Sequence, residues 1–130
     1  MSDIPIGTKG EHRRTVTAEI AINFLGLEGA RVLSTPSIVM LLEMTSRDSI
    51  LPLLETGHDS VGTEVKVRHL AATPLGMQVT FHSEVIAVDD QRVRFKVEAF
   101  DEREKIADGT HERFIVNIER FAKRLAEKRS

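Results

Sequence analysis

The sequence predicts an α+β fold in which an antiparallel sheet wraps one long buried helix. Three observations carry that expectation. Residues 34–55, "STPSIVMLLEMTSRDSILPLLE", hold a nearly unbroken apolar run at helical length. Four runs of alternating apolar and polar residues follow, each of strand length and separated by short turns. The last segment, "ERFAKRLAEKRS", is polar with Phe121, Ala122 and Leu125 on one side, which predicts an exposed C-terminal helix.

Taken in order, "TVTAEIAI" (15–22) alternates, with Val16, Ala18, Ile20 and Ile22 on one face, and predicts a first strand. "NFLGLEGARVL" (23–33) contains two glycines and predicts a mobile loop. In the main helix Ser34 or Thr35 can serve as N-cap, and Pro36 suits the first helical position, where a missing N–H is no loss. Ile38, Val39, Met40, Leu41, Leu42 and Met44 make the helix apolar on nearly every side, the pattern of a helix surrounded by protein. Burying six such side chains is worth roughly 10 kcal/mol before entropy is set against it. Pro52 predicts a break near residues 47–49 and a short second turn.

After "TGHDSVG" the strand runs are 63–73, 77–88, 91–101 and 105–118, separated by "PLG", "DD" and "DERE". Breaks this short imply that consecutive strands are antiparallel neighbours. The inward set is Val65, Val67, Val79, Phe81, Val85, Val93, Phe95 and Val97, alternating with Glu, Lys, Arg, Gln and Thr. One sheet wrapping one apolar helix is the hotdog arrangement, although cystatin-like α+β folds share the pattern. A single helix cannot cover both faces and the edges of such a sheet, so the pattern also predicts a homodimer, with a dimer of dimers open.

A chain of 130 residues suits one domain, spanning 1–130, and is too short for two independent cores. A net charge of -2 calls for no nucleic-acid partner. The N-terminal "MSDIPIGTKG" lacks the apolar core of a signal peptide, and no apolar run reaches the ~18 residues of a membrane span. The expectation is a soluble, cytoplasmic protein without a membrane partner. With no cysteine, a thiolate metal site or Cys nucleophile is excluded, and the histidine spacings suggest no other metal.

Three polar residues stand where the pattern expects apolar ones: Thr35 at the helix start, Glu43 within the helix, and His69 on the inward face of a strand. Each has a plain reading: an N-cap, a carboxylate at the helix edge reaching water, and a satisfied core histidine. Each also has a chemical one. A helix start with free N–H groups is an oxyanion site, a carboxylate can attack a carbonyl or activate water, and an imidazole can relay a proton near neutral pH. His69 gains weight from its place at a strand end before "AATPLG". Thr35 and Glu43 lie eight residues apart, about 12 Å along a helix axis. They can reach one carbonyl carbon together only if Thr35 folds back or a second subunit supplies one of them.

Other histidines are weaker candidates, His82 on the polar face and His12 and His58 on loops. In "GTHER" (109–113), Gly109 can mark a bulge or a close backbone approach that turns His111 or Arg113 toward a ligand, and a surface ion pair is the plainer outcome. Arg31, Arg47, Lys66 and Arg68 are candidates for gripping a phosphate.

From about residue 34 to 125 the chain resembles the fluoroacetyl-CoA thioesterase-like family of hotdog proteins, most strongly in "HLAATPLGMQVT" and "GTHERFIVNIERF". The resemblance implies that Thr35, Glu43 and His69 are the working residues, that Gly62 and Arg113 contact substrate, and that an acyl-CoA is hydrolysed at a dimer interface. Coenzyme A enters as part of the substrate, and no other cofactor is implied. The family's aromatic gate over the acyl pocket would align with Gly29 here, with Phe24 nearby but out of register, so a small acyl group other than fluoroacetyl is expected. In that mechanism helix-start N–H groups polarise the thioester, Thr35 adds a donor or acts as nucleophile, Glu43 attacks or orients water, and His69 relays the proton. A non-catalytic hotdog protein that binds acyl-CoA or another small apolar ligand is the competing class. A hotdog hydratase would need an aspartate–histidine pair that the helix region does not offer.

Overall fold

The computed structural model describes residues 3–130. Five strands form one antiparallel sheet: β1 Lys9–Thr15, β2 His58–His69, β3 Gln78–Asp89, β4 Arg92–Phe100 and β5 Lys105–Asn117, in the order β1-β3-β4-β5-β2. Helix α1, Thr35–Ile50, packs across its inner face, and α2, Ile118–Arg129, follows β5. Among the described residues no helix is long and apolar enough to cross a membrane.

The core lies between α1 and the central strands. Val79, Phe81, Val85, Val93, Phe95 and Val97 are buried, as their alternation requires, and they meet Ile38, Leu41, Leu42 and Ile50 of α1. Ser34 caps α1, its side chain accepting from the Ser37 N–H. The helix runs past the expected break to Ile50. Pro52 lacks only its own N–H and crowds the carbonyl four residues back, so the turns before Leu51 keep their bonds. Leu51–Leu53 then tighten into a 3₁₀ turn.

The first strand lies earlier than the alternation of 15–22 suggests. β1 is mostly exposed and pairs with β3 from Lys9 opposite Glu84 to Thr15 opposite Gln78, so its polar side chains show no period. Val16 and Ile20 are instead buried anchor points of the loop leading to α1. β2 begins at His58, inside the segment read as a loop, because a bulge between Gly62 and Glu64 breaks its alternation. Nor is β2 a neighbour of β3. It pairs with β5 at the far edge, and residues 70–77 cross the sheet end, held by Leu70 N–H to Ile106 O and Gly76 N–H to Val16 O.

That edge position changes which residues are covered. Val65 is 36% exposed and Val67 half-buried, since α1 lies over the strands further in. Nor is α1 enclosed by its own chain: Met40 and Met44 are 47% and 43% exposed, on the same outward side as Glu43 and Arg47. One copy of the chain therefore leaves a long free strand edge beside an apolar helix stripe.

Candidate functional site

The residues singled out in the sequence fall into two groups, one at the start of α1 and one at its middle. At the helix start the Thr35 hydroxyl lies 2.7 Å from His69 Nδ1, joining the first turn of α1 to the last residue of β2. His69 sits opposite the buried Ala107 of β5, so its ring faces inward. Its other nitrogen, Nε2, is buried and has no hydrogen-bond partner among the described residues. A buried polar atom left unpaired costs about 1–3 kcal/mol. The helix start offers fewer donors than the sequence suggests. Pro36 has no N–H, Ser37 N–H goes to the Ser34 side chain and Ile38 N–H to Ser34 O. Thr35 N–H is the donor without a partner among the described residues.

Two turns along, Glu43 stands over Gly62. A Cβ at that glycine would lie 2.5 Å from Glu43 Oε2 and 3.2 Å from His111 Cε1, so the missing side chain is the space the carboxylate fills. Beneath it are His111 and Arg113, two residues apart on the inner face of β5 and both buried. Arg113 Nη1 is 3.5 Å and His111 Nε2 3.9 Å from Glu43 Oε2. Arg113 is fixed from the other side: Nε donates to Ser60 Oγ and Nη2 to Ser60 O, both at 2.7 Å. Burial lowers the pKa of both His111 and Arg113.

The surface ion pair expected for "GTHER" is thus replaced by a buried network. Gly109 makes the close approach, a Cβ there running into Lys66 O, while the bulge sits across the ladder at Gly62–Glu64. Glycine at 109 lets β2 and β5 pair tightly just where the inner face turns from apolar to polar. Ser60 carries no signal in the sequence, where its segment reads as a loop, and His111 is more central to the network than a surface ion pair implies. The inward series Ala107, Gly109, His111, Arg113, Ile115 was the available signal. His12 and His58 lie in β1 and β2 rather than in loops.

The candidate phosphate-gripping arginines are largely occupied. Arg31 donates to Ile22 O and Ala18 O, tying down the glycine-bearing loop. Arg47 holds Asp59 through two bonds of 3.0 and 2.7 Å, and the guanidinium keeps that carboxyl below its usual range. Arg68 pairs with Asp108, while Lys66 is exposed. Gly29 has open space around it and Phe24 is 77% exposed, so no aromatic ring of that loop packs on the body of the chain. A cavity of about 500 Å³ lies between α2 and the end of β5, lined by Gln91, Phe114, Arg120 and Arg124 and by none of the residues above.

Chemically, the helix start offers a hydroxyl–imidazole pair that can move a proton. The middle of the helix offers a carboxylate beside a fixed cation. Neither group alone holds a complete hydrolytic set.

Comparison with known proteins places this arrangement. Residues 9–119 match the family of fluoroacetyl-CoA-specific thioesterases. A fluoroacetyl-CoA thioesterase from Streptantibioticus cattleyicolor is 37% identical over 101 residues, which are 78% of this chain and 73% of the relative. A variant of the fluoroacetyl-CoA-specific thioesterase, solved with fluoroacetate and CoA, superposes with a TM-score of 0.82 at 32% identity, covering 91% of this chain and 99% of the other. A hot-dog-like protein from Thermanaerovibrio acidaminovorans superposes with a TM-score of 0.86 at 28% identity, covering 95% and 92%. The match runs from β1 into α2 and takes in both polar groups, and the chain belongs to the fluoroacetyl-CoA-specific thioesterase family of hotdog-fold hydrolases.

Proposed function

We propose that two copies of the chain pack through the outward stripe of α1 and the free edge of β2. Thr35 and His69 of one copy then face Glu43 of the other across a cavity that hydrolyses the thioester of a small acyl-CoA. The carrying observation is the split site: Thr35 bonds His69, whereas Glu43, about 12 Å along the same helix, sits with Gly62 and Arg113. A two-fold axis restores convergence. If two α1 helices cross antiparallel at residue 39, position 35 of one meets position 43 of the other. Val39 and Met40 stand at that midpoint, half-buried and exposed in one copy. Exposed Met44, Val65 and Leu70 extend the same apolar surface.

In this site the thioester carbonyl accepts from Thr35 N–H. The Glu43 carboxylate either attacks the carbonyl carbon, forming a mixed anhydride that water opens, or takes a proton from an attacking water. The C–S bond breaks, and the departing sulfur takes its proton through the Thr35–His69 pair, leaving the acid and CoA thiol. Gly62 and Arg113 flank the acyl group beside the carboxylate. Open space at Gly29 favours a small acyl group other than fluoroacetyl. CoA thioesters are made and used inside cells, so this reading places the protein in the cytoplasm.

Subunit mixing tests the reading. Dimers of His69→Ala and of Glu43→Ala should each be inactive in a thiol-release assay over short, branched and aromatic acyl-CoAs. Dissociated and reassociated together, they should recover about a quarter of wild-type activity, because a mixed dimer regains one intact site of its two. Were each site built within one chain, every site in the mixture would stay broken and nothing would return. Saturable acyl-CoA binding with no thiol release would instead favour a non-catalytic binding protein.

A further inference from the structure

His111 has no part in the hydrolysis described above, yet its ring is among the most constrained polar groups in the chain. It is 2% exposed and lies against Phe95, ring centroids 6.0 Å apart and planes 27° from parallel. Nδ1 lies 2.8 Å from Glu64 O, and a carbonyl only accepts, so the proton is on Nδ1. On the other side Arg113 Nη1 lies 3.1 Å from Nε2, and a guanidinium only donates, so Nε2 carries a lone pair. Both contacts require a neutral imidazole, in the tautomer less common for free histidine.

The consequence falls on Glu43. A carboxylate beside an unencumbered guanidinium closes to about 2.7–2.9 Å. Here the approach stops at 3.5 Å. Nε and Nη2 of Arg113 donate to Ser60 and one of the two Nη1–H groups donates to His111, three bonds that fix the plane and direction of the guanidinium. We propose that His111 is a positioning residue for Glu43. Its lone pair takes one of the two Nη1–H groups and so sets the direction of the guanidinium, holding Nη1 at 3.5 Å from the carboxylate as a charge without a short bond to it. Oε2 is thereby left over Gly62 with its lone pairs available for reaction. The inference rests on the reading of Glu43 as the group that attacks the thioester or activates water.

Replacing His111 by Phe preserves a flat ring against Phe95 and removes the acceptor, so Nη1 turns to Glu43 and ties it up. His111→Gln keeps both functions, since an amide can donate to Glu64 O and accept from Arg113. The test measures kcat and KM for acyl-CoA thiol release in wild type, His111→Phe, His111→Gln and Glu43→Gln, with thermal melts as folding controls. A nitrogen-15 NMR spectrum of the wild-type dimer at pH 7 reads the His111 tautomer. The expected result is a neutral ring protonated on Nδ1, a fall in kcat of about 10–100-fold for His111→Phe with KM nearly unchanged, and substantial recovery in His111→Gln. Wild-type kcat in folded His111→Phe overturns the inference, as does His111→Gln being as slow as His111→Phe. A ring that is charged or protonated on Nε2 overturns it even if the Phe variant fails to fold. Full turnover in Glu43→Gln removes the parent reading of the carboxylate, and this one with it.

Discussion

Gly62→Ala separates chemistry from stability more cleanly than any substitution of a charged residue. The new methyl would lie 2.5 Å from Glu43 Oε2, against about 3.4 Å for ordinary contact, so the carboxylate must retreat by about 0.9 Å. The clashing atom is the end of a flexible, partly exposed side chain and can move at little cost. His111 Cε1, at 3.2 Å, needs only a few tenths of an ångström. Gly62 does not have a positive φ, so alanine fits its backbone and recovers about 0.5–1 kcal/mol of chain entropy. The strain and the gain nearly cancel, leaving Tm within a few degrees of wild type. Misplacing a reacting group by about 1 Å costs on the order of 100-fold in rate, or about 2.7 kcal/mol in the barrier. The assay pairs thiol-release kinetics with a thermal melt of the same sample. A folded Gly62→Ala protein with wild-type kcat/KM would refute the placement of Glu43 over Gly62 as the reactive arrangement.

Gly10→Ala should do the opposite, since its Cβ would meet Thr45 O at 2.7 Å and Ser49 Cβ at 2.8 Å, where β1 passes α1. A loss of about 1–3 kcal/mol, read as a Tm lower by about 4–12 °C, is expected with kcat per folded molecule unchanged. His111 makes stability pH-dependent: burial lowers its pKa below the ordinary 6.5, so between those two values only the unfolded chain binds the proton. Its contribution is therefore complete above 6.5 and lost as the pH falls. Melts from pH 7 to pH 5 should show a smaller decline in His111→Gln than in wild type. Replacing both Met40 and Met44 by Glu puts charges on an exposed stripe, so the fold should survive while sedimentation reports a monomer and thiol release disappears. A dimeric, active double variant would exclude that stripe from the interface.

Strands β3 and β4 were legible in the sequence because their two faces meet different surroundings, α1 on one side and water on the other. Phe81, Val85, Phe95 and Val97 are all buried where alternation places them. β1 was not legible, because an exposed edge strand is held by backbone pairing and its "KGEHRRT" carries no apolar period. The place of β2 was misread for a different reason. Short links imply adjacent strands only when they are turns, and 70–77 is a crossover pinned to Ile106 and Val16. At the site, Thr35, Glu43 and His69 were visible as polar residues out of pattern. Their grouping was not, since Thr35 and His69 meet across 34 residues of sequence. "GTHER" reads as a polar surface run until β2 and α1 are placed around it, and only Gly109 hinted at close packing.

The two polar groups are poor choices for stability alone. A buried guanidinium and imidazole could be replaced by apolar side chains of similar volume at little loss, and such replacements often stabilise. Arg113 and His111 instead occupy inner-face positions between Gly109 and Ile115, with burial working against the charge of Arg113. Their outward reach ends where Gly62 withholds a side chain and Glu43 fills the gap. At the helix start His69 Nε2 is a buried atom with no partner among the described residues, a defect that one copy of the chain does not repair. Helix α1 is otherwise apolar enough to have been closed over by its own chain, yet it presents Met40 outward between the two groups and Met44 just beyond Glu43. A fold under selection for stability alone would have no reason to leave unpaired a nitrogen of the imidazole bonded to Thr35 and, eight residues further along the same helix, a carboxylate without a short bond. On the reading proposed above, a substrate bridging two copies would supply that reason.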